Sequence, residues 1–268
     1  MALAKQYNGE IIAADSRTIY RSMDIGTAKP TRHDQTAVPH HLLDVIEPDE
    51  TYSAAQFKRA AETDIKAIQS RYHLPLVVGG TGLYVYGLLY DYQFPAGADN
   101  DLRRELEAVS LASLVERLQQ EDPEMAARID LQNPRRVIRA LETVGQPRQS
   151  AMRLKSNILL IGLRPSTDQL NKQIAQRTQA MFELGLIAEV ETLVAQYGPN
   201  LEAFRSPGYA EIIDFLAKRI TRQEAEGLIN LHTRQLVKRQ LTWFKRNPEI
   251  RWVETPAEAK REVARFLK

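Results

Sequence analysis

Three stretches of this 268-residue sequence gather side chains that could do chemistry together. The first is Asp15-Ser16-Arg17, which sets a carboxylate, a hydroxyl and a guanidinium side by side. Asp15 could act as a general base toward an attacking amine or hydroxyl. It could equally cap a turn and pair with Arg17. The second is Gly79-Gly80-Thr81-Gly82, whose backbone amides and hydroxyl suit anionic oxygens, although glycine pairs after strands often serve only as turns. The third is basic: Arg234, Lys238, Arg239, Lys245 and Arg246 lie in a run without an acidic residue from Gly227 to Pro248. At helical spacing Arg234, Lys238 and Lys245 fall close to one face, while Leu241 and Phe244 help form an apolar one. Like charges four residues apart repel, so a phosphate partner would relieve a local cost. Arg135, Arg136 and Arg139 make a second basic cluster. A solvated helix face is the alternative for both, but two such clusters in a chain of net charge +2 favour RNA. His40 and His41 are adjacent and so point different ways, which makes them structural rather than a metal pair.

Composition narrows the chemistry further. There is no cysteine, which excludes a disulfide framework, a thiolate metal site and a cysteine nucleophile, and leaves oxygen and nitrogen groups for any reaction. The hydrophobic share of 43% and charged share of 26% suit a globular chain of one large or two modest domains. No apolar run approaches the roughly 20 residues that span a bilayer, and Met1 to Glu10 lacks the basic start and apolar centre of a signal peptide. The expectation is a cytoplasmic protein without a membrane partner.

The reactive stretches need a scaffold, and the periodicity supplies one. Glu10 to Ala14 reads as a short buried strand with Asp15 at its carboxyl end, where open α/β sheets place ligands. Leu74 to Val78 reads as a second strand running into the glycine stretch, with a helix beginning near Leu83. Between them, Phe57, Ala61, Ile65 and Ile68 within Tyr52 to Ser70 have helical spacing, giving a βαβ unit. From Pro95 to about Ser150 strands disappear, and Leu102, Leu106, Val109, Leu114 and Leu118 build amphipathic helices, which predicts a helical insertion. Asn133-Pro134 starts a helix through Thr143. Ile158 to Leu163 returns to strand character, Asp168 opens a helix, and Leu186 to Gln196 forms another. The expected domains are therefore an α/β core over 1–94 and 151–268, with a helical insertion over 95–150. Before all this, Met1 to Gln6 favours helix and Asn8-Gly9 stops it; so short a helix reads as the end of a longer one.

These residues resemble the tRNA dimethylallyltransferases, of bacterial type because no C-terminal zinc finger is present. The likeness rests on Asp15-Ser16-Arg17, Tyr20 to Pro30, Pro39 to Asp44, Tyr52 to Ala55, Gly79 to Tyr84, Arg136 to Glu142 and Lys238 to Phe244, in order and at approximate spacing over Glu10 to Val253. It implies a P-loop NTPase-like parallel sheet flanked by helices, with an inserted all-helical tRNA-binding domain. It also implies transfer of a dimethylallyl group from dimethylallyl diphosphate to the N6 amine of adenosine 37, next to the anticodon in the anticodon stem-loop of tRNA, with Mg2+ assisting and the protein acting as a monomer. By the same resemblance Asp15 is the base, Thr81 contacts the bridging oxygen, and Arg177 holds the pyrophosphate. Asp15, Ser16, Arg17 and Thr18 line the extruded adenosine, since a stacked base hides its amine. Arg103, Arg135, Arg136, Arg139, Arg205, Gly208, Tyr209, Lys238, Arg239, Gln240, Trp243 and Lys245 fall in stretches that touch tRNA.

Departures from the family pattern set further expectations. The resemblance implies a first strand and a glycine-rich loop ending in Lys-Ser/Thr, and no such loop occurs in these 268 residues. The fold is therefore expected to lack its first strand and phosphate loop, with an exposed neighbouring sheet edge, low stability and no activity for the chain as given. Pro207 stands where an aliphatic residue is usual, and Thr143 to Pro147 is short. Two alternatives remain: an RNA-binding remnant without catalysis, and a relative acting on free adenine nucleotides. Against the second stand the insertion and both basic clusters.

Overall fold

The computed structural model describes residues 1–90, 92, 94, 100–146 and 154–268. It divides into two compact units, Met1–Asp91 with Leu154–Lys268, and Tyr92–Arg153. The expected limits of the insertion, Pro95 and Ser150, lie outside the described residues, as does Pro147.

The first unit opens with α1 (Ala2–Gln6), after which Asn8 takes a left-handed φ of 50° that asparagine tolerates, and the chain enters β1 (Gly9–Ala13). All of β1 is buried. There follow α2 (Arg32–Ala37), the two-residue β2 (His40–His41), α3 (Ala54–Ser70), β3 (Leu74–Val78) and α4 (Gly82–Leu89). The strands are parallel in the order β2-β1-β3, with β1 and β3 in register from Gly9 opposite Leu74 to Ala13 opposite Val78. The helix between β1 and β3 is the expected crossover. Its Ser53 cap accepts from the Gln56 N–H while Gln56 reaches back to the Ser53 N–H, so two free amides at the helix start are satisfied at once. Phe57, Ala61 and Ile68 turn inward, and Phe57 stacks on Tyr84 of α4 with ring centres 4.3 Å apart.

The second unit contains α5 (Asn100–Glu107), α6 (Leu111–Glu121), α7 (Pro123–Ala126) and α8 (Pro134–Leu141), and no strand among its described residues. Leu106, Leu114, Leu118, Val137, Ile138 and Leu141 form its core. Val109 does not join them: Ser110 caps α6 by accepting from the Ser113 N–H, so the chain breaks between helices and Val109 is left exposed. The start of α8 is as expected, with Asn133 accepting from the Arg136 N–H and Pro134 at the first helical position. It ends at Leu141, two residues earlier than the sequence suggested.

Back in the first unit come β4 (Leu160–Leu163), α9 (Thr167–Glu183), α10 (Leu186–Tyr197), a 3-10 turn (Glu202–Arg205), α11 (Tyr209–Leu216), α12 (Arg222–Phe244), β5 (Ile250–Val253) and α13 (Pro256–Phe266). Ser166, not Asp168, caps α9; Asp168 lies in its first turn, where it suits the helix dipole. The strands β4 and β5 pair in parallel as a second sheet, so the parallel strands form two sheets and not one. Val78 on β3 and Leu163 on β4 are each more than half exposed. The largest core joins the loop after β1 to α10, α11 and α12 through Ile19, Met23, Val190, Phe204, Tyr209 and Ile229.

One buried carboxylate ties the sheet together at the end away from Asp15. Glu10, on β1, accepts from the Arg71 guanidinium at 2.8 Å and lies 2.6 Å from His41 Nε2 and 2.7 Å from His73 Nδ1, so residues at β2 and just before β3 meet on it. His41 and His40 thus serve the sheet, as their adjacency implied; Asp64 lies 3.9 Å from His41. Burial alone would raise the Glu10 carboxyl, but the hydrogen bonds from Arg71, His41 and His73 outweigh it and hold the pKa at about 2. A pKa lowered in the folded state contributes stability above the ordinary carboxyl range, and that contribution disappears as pH falls toward 2. Glu10→Gln is expected to cost roughly 2 kcal/mol near neutral pH. Urea titrations should show the difference from the unaltered protein shrinking in acid; a constant difference would remove Glu10 from the pH dependence.

Candidate functional site

The tips of β1 and β3 meet because two backbones come very close. The Thr81 N–H donates to the Ala14 carbonyl at 3.2 Å, and a Cβ on Gly79 would lie 2.1 Å from that same oxygen. Only glycine fits there. The neighbouring glycines answer to α12: a Cβ on Gly80 would strike Gln240 Nε2 at 2.1 Å, and one on Gly82 would strike Trp243 Nε1 at 2.4 Å. The glycine stretch is therefore closely packed on both sides, a constraint beyond the turn or the anion site that its sequence suggested.

That packing sets two hydroxyls and a carboxylate together. The Ser16 N–H donates to Thr81 Oγ1 at 2.9 Å, and Thr81 Oγ1 lies 3.2 Å from Ser16 Oγ. Thr81 occupies the cap position of α4, yet its side chain makes no bond to that helix. Asp15 Oδ1 accepts from the Arg17 N–H at 2.8 Å, whereas no hydrogen bond to Oδ2 is found among the described residues. Asp15 thus caps its turn through a backbone amide and not through an ion pair with Arg17. The Arg17 guanidinium instead donates to the carbonyls of Glu202 at 3.2 Å and Ala203 at 3.4 Å. Thr18 Oγ1 is buried and has no hydrogen-bond partner among the described residues.

Arg177, on α9, completes the group. Its Nη2 donates to the Thr27 carbonyl at 3.3 Å. The residue is exposed; desolvation by the protein around it lowers its pKa, and the Asp15 charge opposes the shift. Arg177 and Asp15 therefore share one electrostatic environment. A cavity of about 410 Å3 adjoins Arg177 and is lined by Ile25, Ala28, Lys29 and Met181, but not by Asp15 or Thr81.

The basic residues divide by their partners. Lys238, Arg239 and Lys245, with Arg234 and Arg246, are exposed on or just beyond α12 and form no ion pair with any described residue. Trp243 is 41% exposed between them and leans on Tyr86 at 5.7 Å. Arg103 and Arg139 are committed otherwise. They bind the fully buried Glu142 carboxylate at 2.7 and 2.9 Å and so close the second unit's core. Arg136 lies 3.9 Å from Asp130, Arg135 is also engaged, and Arg205 pairs with Glu202 at 3.2 Å. Tyr209 belongs to the core and not to a surface: it is completely buried, its hydroxyl donates to Glu189 at 2.6 Å, and burial followed by the Glu189 charge pushes its pKa up. Gly208 gives its N–H to Glu211 and holds a φ of 104°.

The profile of the IPP transferase family matches residues 18–247, which take in Thr18, Thr81, Arg177 and all of the basic helix α12. The chain belongs to the IPP transferase family. A tRNA dimethylallyltransferase of Pelotomaculum thermopropionicum is 42% identical over 94% of this chain and 84% of its own length. One from Exiguobacterium is 43% identical over the same shares. The tRNA isopentenylpyrophosphate transferase of Bacillus halodurans, solved by crystallography, is 37% identical with a TM-score of 0.73, covering 99% of this chain and 89% of that one. A eukaryotic dimethylallyltransferase, solved acting on tRNA, superposes with a TM-score of 0.82 over 98% of this chain and 73% of its own; at 23% identity it supports the fold alone. The expected parallel α/β architecture holds within the family.

Sequence reasoning missed two features that brace the site. Lys29 is buried with its ammonium 2.6 Å from both Asp24 and Asp44 and donating to the Tyr20 carbonyl. Glu189 binds the backbone of the same loop. Lys29 and Asp24 stood in the quoted motif without a role, and Glu189 gave no signal, because its partners are backbone amides far away in sequence. Among the described residues no three His, Cys, Asp or Glu side chains gather as a metal cluster.

The glycine packing predicts a contrast between neighbours. Gly79→Ala meets a backbone carbonyl and should destabilise the chain by about 2–3 kcal/mol. Gly80→Ala meets only the end of a flexible glutamine and should cost less than about 1 kcal/mol. Equilibrium denaturation measures both, and equal losses would refute the close-approach account.

Proposed function

We propose that this chain is a tRNA dimethylallyltransferase, moving a dimethylallyl group from dimethylallyl diphosphate to N6 of adenosine 37. The observation that carries the reading is the group at the strand tips: a carboxylate with one oxygen uncommitted, two hydroxyls at hydrogen-bonding distance, and a guanidinium that feels the same carboxylate. An exocyclic aromatic amine is a poor nucleophile, so its nitrogen attacks the allylic carbon as Asp15 Oδ2 takes its proton. The bond from that carbon to the diphosphate oxygen breaks, and the pyrophosphate leaves with the electron pair. Thr81 and Arg177 are suited to stabilise the charge that accumulates on it.

Mg2+ would meet a donor set of hard oxygens, the Ser16 and Thr81 hydroxyls, with the diphosphate and water supplying the rest. When bound it would neutralise diphosphate charge. The RNA face is Lys238, Arg239 and Lys245 around Trp243, where uncommitted cations flank an exposed ring able to stack a base. A tRNA substrate places the work in the cytoplasm, and among the described residues no helix is long and apolar enough to cross a membrane.

Incubation with unmodified tRNA and labelled dimethylallyl diphosphate, followed by nucleoside mass spectrometry, should yield prenylated adenosine from a version carrying a glycine-rich Lys-Ser/Thr loop before β1, and little or none from these 268 residues alone, which have no such loop to hold the diphosphate. tRNA bound without transfer by the loop-bearing version would favour the RNA-binding remnant instead. Asp15→Ala is expected to abolish transfer while tRNA affinity stays within about twofold, since only the proton acceptor is lost. Normal turnover would remove Asp15 from the mechanism. Lys238→Ala should weaken binding of all tRNAs alike and reduce the salt slope by about one. An unchanged slope would assign Lys238 to folding.

A further inference from the structure

Glu189 lies in the first turn of α10 and receives four hydrogen bonds. Its Oε2 accepts from the Asp24 N–H at 3.0 Å and the Ile25 N–H at 2.7 Å; its Oε1 accepts from the Gly26 N–H at 3.1 Å and the Tyr209 hydroxyl at 2.6 Å. Three successive amides thus converge on one carboxylate, an arrangement that binds anions well. Gly26 leaves no slack in it, because a Cβ there would sit 2.4 Å from the Tyr209 ring.

The loop that presents these amides needs holding. Ser22 and Ala28, on either side, have φ values of 60° and 50°, which side-chain-bearing residues keep only when their surroundings over-determine them. Two anchors do so. Glu189 grips Asp24 to Gly26 from α10, and buried Lys29 grips the Asp24 and Asp44 carboxylates and the Tyr20 carbonyl from the opposite side. Between these anchors is Thr27, whose carbonyl accepts from Arg177. No other hydrogen bond to the Arg177 guanidinium is found among the described residues. At 3.3 Å that bond is long and has no second one to share its task, so the direction of Arg177 depends on where Thr27 is kept.

We propose that Glu189 is a positioning residue, holding the Asp24–Gly26 backbone so that the Thr27 carbonyl aims the Arg177 guanidinium at the space beside Asp15. The inference rests on the reading of Arg177 as the diphosphate ligand. Glu189 touches no reactant. It acts through two backbone links, and a neutral amide of the same shape would break the arrangement, since Gln offers one acceptor oxygen and turns an NH2 toward an N–H.

Titration calorimetry with inorganic pyrophosphate on the whole chain tests this. Glu189→Gln should weaken pyrophosphate by about tenfold, Arg177→Ala by at least as much, and the double variant no further than Arg177→Ala alone, because both act at one contact. Val190→Ala, next along the helix and buried in the core, is the control: it should lower the melting temperature yet keep pyrophosphate affinity. Hydrogen exchange at Asp24 to Gly26 should quicken in Glu189→Gln and not in Val190→Ala. If Glu189→Gln does not fold, Glu189→Asp keeps the charge and should lose about threefold. Unchanged affinity in the Glu189 variants, losses that add in the double variant, or an equal loss in Val190→Ala each overturn the proposal. No pyrophosphate binding by the unaltered chain, or none of it lost in Arg177→Ala, overturns the diphosphate reading first and this inference with it.

Discussion

The site depends on one close approach, between the Gly79 backbone and the carbonyl of Ala14. Parallel strands normally stay nearly 5 Å apart, and side chains at their ends diverge. Here a side-chain-free residue lets the chain leaving β3 fold over the tip of β1, and the amide of Thr81 then finds the Ala14 carbonyl. From that bond the rest follows in order: Thr81 turns to Ser16, Ser16 fixes the turn, and Asp15 keeps one oxygen tied and the other free. The same absence of side chains lets α12 settle on the loop through Gln240 and Trp243, which brings the basic helix against the end of β3.

Much of this could be read in the sequence where the signal is local. The strand from Leu74 to Val78 announced itself through its compact apolar run, and the Ser53 and Asn133 caps through residue type and spacing. The meeting of Ser16 with Thr81 followed from placing both stretches at the carboxyl ends of neighbouring parallel strands. What escaped was non-local. The strand His40–His41 is two residues long and exists because β1 supplies its partner; β5 and α13 carried too little pattern to stand out. Glu189 was illegible because a carboxylate on a helix face looks the same whether it meets water or backbone amides 163 to 165 positions away. Tyr209 came in only with the family stretch around it, and no local pattern showed that its ring belongs to the core.

Charge is used in two ways that composition could not separate. In the second unit, Arg103 and Arg139 neutralise a carboxylate that is 1% exposed, so two cations that look available are spent on the fold. On α12 the cations have no such duty, and their mutual repulsion persists in the free protein. The second kind is the one whose energy improves when a polyanion arrives, which is why the C-terminal cluster says more about partners than the equally basic helix after Pro134. The buried Glu10 cluster belongs to the first kind, holding three strands at the end opposite the site.

The place of Trp243 has a practical consequence. The chain has two tryptophans, and they occupy contrasting settings: Trp252 packs over Gly162 in the small sheet, whereas Trp243 covers Gly82 with part of its indole facing solvent. Emission from the first reports the sheet, and emission from the second reports whatever approaches the strand tips. The protein therefore carries its own optical probe, and replacing Trp252 alone with phenylalanine would leave a single fluorophore at the glycine loop after β3.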